Sequence, residues 1–319
     1  MSSETLPMLL LRRVGLALLT LLLVSIIVFA ITSLLPGDAA EQAMGQGATP
    51  ETVAALREEF GLNKPGYVRY SEWLLGLVTG DPGMSLSSRL PVAELIADRL
   101  PKSLLLAGLT ALVVTPFAIG IGILAALRRG GRLDRTLSVM TLSMVAVPEF
   151  LVASIAVLVF AVQLRWLSAL SALPPDYTAL DFLRAYAMPV MALGFVIVAQ
   201  MARMTRAALI AQLDQPYAEM ATLKGVGTRR RVLRHALPNA AGPIANAVAL
   251  SLSYLLGGAI IVETIFNYPG LASLMVDAVT NRDMPVLQTC AMIFCAVYLA
   301  LVLVADVIAL LSNPRLRHR

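Results

Sequence analysis

The sequence contains no GxxxxGKS/T loop, so it lacks the backbone cradle and the lysine that hold nucleotide phosphates, and any uphill work it does draws on energy released elsewhere. HExxH, CxxC and GxSxG are missing too, which removes the usual metalloprotease, redox and acyl-transfer signatures. Histidine is scarce. His235 and His318 lie far apart in basic segments and read as surface residues of a loop and a tail, not as metal ligands or bases. The two cysteines, Cys290 and Cys295, share one apolar run five residues apart, point in different directions on a helix, and neither pair nor report a redox compartment. Charge is thin as well. Charged residues make up 14% of the chain against 58% apolar ones, with mean hydropathy +0.78, which is too little polar surface for a soluble globule. The net charge of +5 does not argue for nucleic acid, because the basic residues sit in short segments between apolar runs. No internal repeat, low-complexity tract or flexible linker divides the chain.

Long apolar runs are what it has instead. About 20 apolar residues in a helix cross the hydrocarbon core of a bilayer. Runs of that length lie near 10–35, 103–127, 136–164, 187–205, 240–263 and 286–311, so the expected fold is an all-α polytopic membrane protein with six transmembrane helices. The run from Val14 to Leu35, after Arg12 and Arg13, is too long for the core of a cleaved leader and reads as a retained first span. Six spans put both termini on one side. With that side cytoplasmic, Arg12, Arg13, Arg128, Arg129, Arg132, Arg135, Arg203, Arg206, Lys224, Arg229, Arg230, Arg231, Arg234, Arg315, Arg317 and Arg319 all fall in inside segments, most of the 25 Lys and Arg, and the positive-inside rule sets the orientation.

The external segment 36–100 is long enough for a small helical lobe between the first two spans. Thr49-Pro50-Glu51 starts a helix with Val53, Leu56 and Phe60 on one face and Gly61 at its end. A second helix is expected over Tyr67–Val78 with Trp73 inward. Gly80-Asp81-Pro82-Gly83 reads as a turn, and Val92–Leu100 as a short helix stopped by Pro101. The lobe is acidic, with Asp38, Glu41, Glu51, Glu58, Glu59, Glu72, Asp81, Glu94 and Asp98, and serves either as a solvated cap or as a docking surface. The domain organisation expected is a single transmembrane domain over 1–319, with the embedded lobe 36–100 and a cytoplasmic loop 206–238.

Polar residues inside spans are kept at a cost of at least ~2.5 kcal/mol for a charge at mid-bilayer. Glu149, after Pro148, either lines a cavity at a proline kink or pairs with another helix. Asp306 is near enough to a span end to reach the interface. Asn246, Ser251, Ser253 and Tyr254 line a wet pathway or bond across helices, and Gly257-Gly258 permit close helix packing. The candidate pathway-lining set is Glu149, Asn246, Tyr254 and Glu263, and the sequence offers no catalytic or metal set.

The most basic stretch is YAEMATLKGVGTRRRVLRHALP, Tyr217 to Pro238. Gln215-Pro216 opens a helix with Tyr217, Met220 and Ala221 on one face, and Gly225 ends it. A second short helix is expected from Thr228 as N-cap, with Val232, Leu233, Ala236 and Leu237 on one face, stopped by Pro238. Two helices meeting at Gly225-Val226-Gly227 make a knuckle.

That stretch resembles the EAA loop of ATP-binding-cassette (ABC) importer permeases, whose pattern is EAA, three residues, Gly, nine residues, then I-x-L-P. Glu219, Ala221, Gly225, Leu237 and Pro238 match, while Met220 replaces an alanine and His235 the isoleucine. Pro216 stands where an acidic residue is common, leaving Asp214 to cap the helix. LLRRV with VSIIVFAITSLLPGDAA, the segment from Tyr70 to Leu104, LGGAIIVETIFNYPGLASLMVDAVTNRDMPVLQ from Leu256 to Gln288, and the terminal Asn-Pro-Arg are similar to the first (B-type) permease subunit of the dipeptide, oligopeptide and nickel importers. The likeness covers nearly the whole chain. It implies the type I ABC importer permease fold in a bacterial cytoplasmic (inner) membrane, with both termini cytoplasmic. The implied partners are a second (C-type) permease subunit, two ATP-binding subunits, an extracytoplasmic substrate-binding protein and membrane lipid, with no nucleic acid. It also implies no cofactor on this chain, with ATP and Mg on the partner subunits. The residues it makes responsible for ATPase coupling are Tyr217, Glu219, Met220, Ala221, Lys224, Gly225, Arg229, Arg230, Leu237 and Pro238. The function implied is that of a non-enzymatic transport subunit, half of a pathway for di- or oligopeptides; nickel chelates, glutathione and sugar-like solutes are the other cargoes of such permeases. An autonomous ion-coupled transporter using Glu149 and Asp306 would show two related halves, which are absent. A lipid-facing scaffold with a basic amphipathic loop leaves the polar residues within the spans unexplained.

Overall fold

The computed structural model describes residues 6–34, 49–171, 173 and 176–312. The expectations for Pro36-Gly37-Asp38, Glu41, Asn313-Pro314-Arg315, Arg317, His318 and Arg319 fall outside these residues. In chain order the helices are α1 (Leu6–Leu34), α2 (Pro50–Glu59), α3 (Gly66–Thr79), α4 (Val92–Leu127), α5 (Arg132–Ala146), α6 (Glu149–Gln163), α7 (Ala179–Leu213), α8 (Pro216–Leu223), α9 (Thr228–Ile265), α10 (Leu271–Thr280) and α11 (Met284–Ser312). Five of them, α1, α4, α7, α9 and α11, contain stretches long and apolar enough to cross a membrane, and the bent pair α5 and α6 makes a sixth when counted as one span.

Three of the expected boundaries move, each at a proline. The third span is not continuous: α5 and α6 meet at 95° around Val147-Pro148. Proline crowds the residue before it out of the helical region, and Val147 is extended at φ −88°, ψ 124°. Pro101, expected to stop a short helix, lies inside α4, which runs unbroken for 36 residues. The Lys102–Asp98 ion pair, 2.8 Å, spans the proline turn, and Val92 and Ile96 below it are packed. Pro238 likewise fails to stop a helix. It sits in the first turn of a new α-helical register, after a π-helical stretch Arg231–Ala236 whose wider turn accommodates the missing N–H, and α9 continues for 38 residues.

The chain forms two compact units. One comprises residues 1–14, 105–268 and 298–319. Its core is built on α7, which packs against α5, α6 and α9, with Leu106, Met188, Leu193, Ile197, Met201, Val262 and Phe266 all nearly or fully buried. Gly258 on α9 takes the close approach expected of it: a Cβ there would lie 2.6 Å from Glu149 Oε2 and 3.2 Å from Leu193 Cδ2. At one end of this core the Tyr186 and Tyr268 hydroxyls are 3.1 Å apart. Burial, with the Tyr186 hydroxyl adding to it, pushes the Tyr268 phenol well above its ordinary value, so it remains protonated. Asp306 does not simply reach for the interface, since it is ion-paired with Arg13 of α1.

The other unit comprises residues 15–104 and 269–297. Thr49 caps α2 in a capping box completed by Thr52, and Gly61 closes it at φ +64°. Phe29, Tyr70 and Trp73 cluster with ring centroids 5.3–6.2 Å apart. The lobe needs more chain than the segment 36–100. Val92 and Ile96 are buried against Leu271, Leu274 and Ala278 of α10, and Ser103 Oγ accepts the Leu271 N–H at 2.7 Å. Asp283, only 1% exposed, accepts hydrogen bonds from Ser85 Oγ (2.5 Å), Ser87 Oγ (2.8 Å) and the Leu86 and Ser87 N–H groups (3.2 Å each). A buried carboxylate with four donors is satisfied and fixes the loop that supplies them.

Candidate functional site

The segment between α7 and α9 is built to present one side and lock the other. Pro216 sits at the first position of α8, where its fixed φ suits a helix and its missing N–H costs nothing. Its N-cap is Gln215, without a side-chain cap bond. Asp214, expected to cap, is instead bound by Arg129 through Nη1 (2.6 Å) and Nη2 (3.3 Å). At the other end Val226 N–H donates to Ala221 O (3.0 Å) and Gly225 N–H to Thr222 O (2.9 Å), a Schellman cap that requires the left-handed backbone Gly225 adopts at φ +74°. Gly227, not Thr228, is the N-cap of α9. The Thr228 hydroxyl instead accepts from Arg231 Nη2 at 3.0 Å, and Thr222 of α8 accepts from Arg231 Nη1. One guanidinium thus clasps the two sides of the turn.

Behind that clasp the knuckle is anchored. Ala218 is 2% exposed, and Val232 and Ala236 are fully buried against Ala126, Leu209 and Ala240. Leu233, expected on the same buried face, is 37% exposed. Arg206 of α7 binds Asp134 of α5 through Nε (2.6 Å) and Nη2 (2.8 Å), and Asp134 also accepts the Gly130 N–H at 2.9 Å. Its carboxylate is buried, so this pair ties α5 to α7 at the base of the knuckle.

The front of α8 is apolar and bare. Tyr217 is 39% exposed, Met220 52% and Leu223 76%, and their i, i+3, i+6 spacing keeps them within about a third of the helix circumference, opposite Ala218 and Thr222. Ala221 and Leu237 are half-buried, and Glu219, Lys224, Arg229, Arg230 and Pro238 are exposed. Leu223 was missed in the sequence because it falls one turn beyond the matching Glu-x-Ala pattern. Asp134 and the pairing of Asp214 with Arg129 were missed because ion pairs 72 or 85 residues apart leave no local signal, and Arg231 reads in the sequence only as one of several basic residues.

The pathway candidates separate. Asn246 and Tyr254 are exposed on α9 and share a stripe with Leu250, Gly257, Ile261 and Thr264, spaced i, i+4, i+8, i+11, i+15, i+18. Ser251 is on the opposite, buried side, and Ser253 donates to its own helix at Ala249 O. Glu263, expected to line a pathway, is fully buried within the core and presents no surface. Glu149 is half-buried against Gly258, which is the helix-pairing alternative. Among the described residues no three His, Cys, Asp or Glu side chains gather as a metal site.

Comparison with known proteins matches this architecture. Residues 118–318 match the family model described as binding-protein-dependent transport system inner membrane component, and residues 6–107 match the model of its N-terminal part. A "Probable peptide ABC transporter permease protein" of Sinorhizobium fredii is 33% identical over 308 residues, 97% of this chain and 98% of that protein. The glutathione transport system permease protein of Escherichia coli is 35% identical over 300 residues, 94% of this chain and 95% of that protein. With apolar helices of membrane-crossing length and a family match over most of its residues, the chain belongs to the binding-protein-dependent transport system inner membrane components, the permeases of ABC importers.

Proposed function

We propose that this chain is the first (B-type) permease subunit of a peptide importer, forming half of the pathway beside a C-type subunit. One of the two ATP-binding subunits seats on its knuckle, a substrate-binding protein docks on its lobe from outside, and both termini are cytoplasmic. ATP and Mg belong to the ATP-binding subunits, and this chain holds no cofactor. The observation that carries the reading is the bare face of Tyr217, Met220 and Leu223 on a helix whose reverse side is locked. Apolar side chains left uncovered beside five basic residues, in a segment too short and polar to enter a bilayer, call for a protein cleft.

The geometry transmits force without a slack joint. α7 ends two residues before α8, and α9 begins within the knuckle and runs unbroken past Pro238 to Ile265. Closure of the ATP-binding subunits therefore moves α8 and, through the Arg231 clasp, the whole of α9. The stripe of Asn246, Leu250, Tyr254, Gly257 and Ile261 lies along that moving rod and faces the pathway shared with the sister subunit. Short peptides are the cargo class that the two relatives' names have in common, glutathione being itself a peptide.

Leu223→Asp tests the seat. It places a charge on the most exposed apolar position without touching the locked side, so the chain should reach the membrane in normal amount but lose at least tenfold in co-purified ATP-binding subunit and in uptake. Normal co-purification would refute the seat.

A further inference from the structure

We propose that the lobe contains a binding cavity for an amphipathic ligand whose anionic oxygens, phosphate or carboxylate, are gripped by Arg69 and Trp73. The cavity encloses about 540 Å³, within the roughly 300–1,000 Å³ typical of small-molecule sites, and it lies entirely inside the unit of residues 15–104 and 269–297. Part of its wall is apolar, with Phe29, Leu62 and Met84 among the lining residues. Its charges are mostly spoken for. Lys64 binds Glu72 at 2.8 Å, Arg89 is paired with Glu59, and Asp81 accepts the N–H of Gly83 at 3.3 Å in its own turn.

Two donors on this wall are left over. Among the described residues, Trp73 is 8% exposed with no acceptor for its Nε1–H, and Arg69 Nε–H is buried and also meets none. Indole and guanidinium are donors only, so no rotation of either lets one satisfy the other. They stand at i and i+4 on α3 and project from the same face. The Arg69 guanidinium lies 5.8 Å from the centroid of the Phe29 ring and forms no ion pair among the described residues. An orphaned buried donor is costly, and two adjacent ones, one of them cationic, are complementary to an oxyanion that accepts from both. The apolar wall accommodates the rest of such a molecule. Phe29 and Thr32 belong to the last turns of α1, and Met284 and Gln288 to the first turns of α11, so the cavity opens at the ends of two membrane-length helices, the level of lipid phosphates. A peptide with a free C-terminus offers the same chemistry from solution.

The chain has two tryptophans, and Trp166 is exposed outside this cavity. In the full chain carrying Trp166→Phe, Trp73 emission therefore reports the site. Detergent-solubilised protein is titrated with dihexanoyl phosphatidylglycerol and with N-acetylated dileucine, and with their uncharged counterparts dihexanoylglycerol and N-acetylated dileucine amide. A saturable emission shift is expected with at least one anionic probe, absent with its counterpart and at least tenfold weaker in Arg69→Gln. A response to phosphatidylglycerol alone identifies a lipid site, and to dileucine alone a peptide subsite. No saturable response to either probe, equal responses to the uncharged molecules, or no weakening in Arg69→Gln overturns the proposal. Should Arg69→Gln fail to fold, native mass spectrometry of the unaltered chain decides: a one-to-one adduct with an anionic probe, resistant to its uncharged counterpart, supports the site, and its absence removes it.

Discussion

Gly225→Val should reduce uptake more than tenfold while leaving the chain in the membrane, and Gly227→Ala two residues away should leave uptake near normal. The contrast comes from backbone angles alone, since a Cβ at either position meets nothing within 4 Å. Gly225 is at φ +74°, and Gly227 at φ −61°, ψ 149°, a conformation any residue adopts. A left-handed backbone costs an ordinary L-residue roughly 1–2 kcal/mol, and a β-branched side chain is a still poorer fit. The strain is relieved by opening the Schellman cap, which re-aims Tyr217, Met220 and Leu223 while the anchored residues Val232 and Ala236 stay put. Each ~1.4 kcal/mol lost from docking is a factor of ten in the docking equilibrium constant, so strain of this size weakens the seat substantially. Uptake measured in vesicles with normalised permease content checks both variants. Equal activity of the two would mean that the turn geometry is irrelevant to coupling.

Asp134→Ala should be the most destabilising single change at the base of the knuckle. It strips the buried Nε and Nη2 contacts from Arg206 and the cap from Gly130 together. Removing one partner of a buried pair costs ~3–5 kcal/mol, and the Arg206 side chain, 31% exposed, recovers part of that from water, leaving about 2–3 kcal/mol. The expected readout is a fall of ~5 °C or more in the unfolding temperature of the solubilised chain. Asp134→Leu combined with Arg206→Met should regain most of it, because an apolar pair of similar volume leaves no charge stranded. If the double variant is as unstable as the single one, the ion pair is not what holds α5 to α7.

How far the sequence could be read follows from which interactions are local. The spans near 10–35, 187–205 and 286–311 reappear in α1, α7 and α11 because apolar length is a composition property. Thr49-Pro50, Gly61, Gln215-Pro216 and Gly225 behaved as expected because caps and turns are settled by a few neighbouring residues. The kink expected at Pro148 is present, but Pro101 and Pro238 do not stop helices as expected. Pro148 breaks its span at 95° because Val147 has gone extended, whereas Pro101 and Pro238 are carried within helices held by packing on either side. Sequence alone does not show which of these a proline will do, since the outcome depends on contacts with distant residues. The same reason hid the contribution of α10 to the lobe and the paired states of Asp134 and Asp214. On α9, Asn246 and Tyr254 stand out in the sequence as polar residues of a span, but neither the exposed stripe they share nor the enclosure of Glu263, nine residues beyond Tyr254, is legible there.

The account rests on α8 being the surface that an ATP-binding subunit grips, and a site-directed cross-link tests that most directly. Met220→Cys is introduced with Cys295→Ser, leaving the buried Cys290 as the remaining native thiol, in membranes that contain the assembled importer. A short bifunctional reagent should then join this chain to an ATP-binding subunit, more strongly when nucleotide is trapped than at rest. No adduct in either state, with the same cysteine freely labelled by a reagent that cannot cross the membrane from outside, would contradict it.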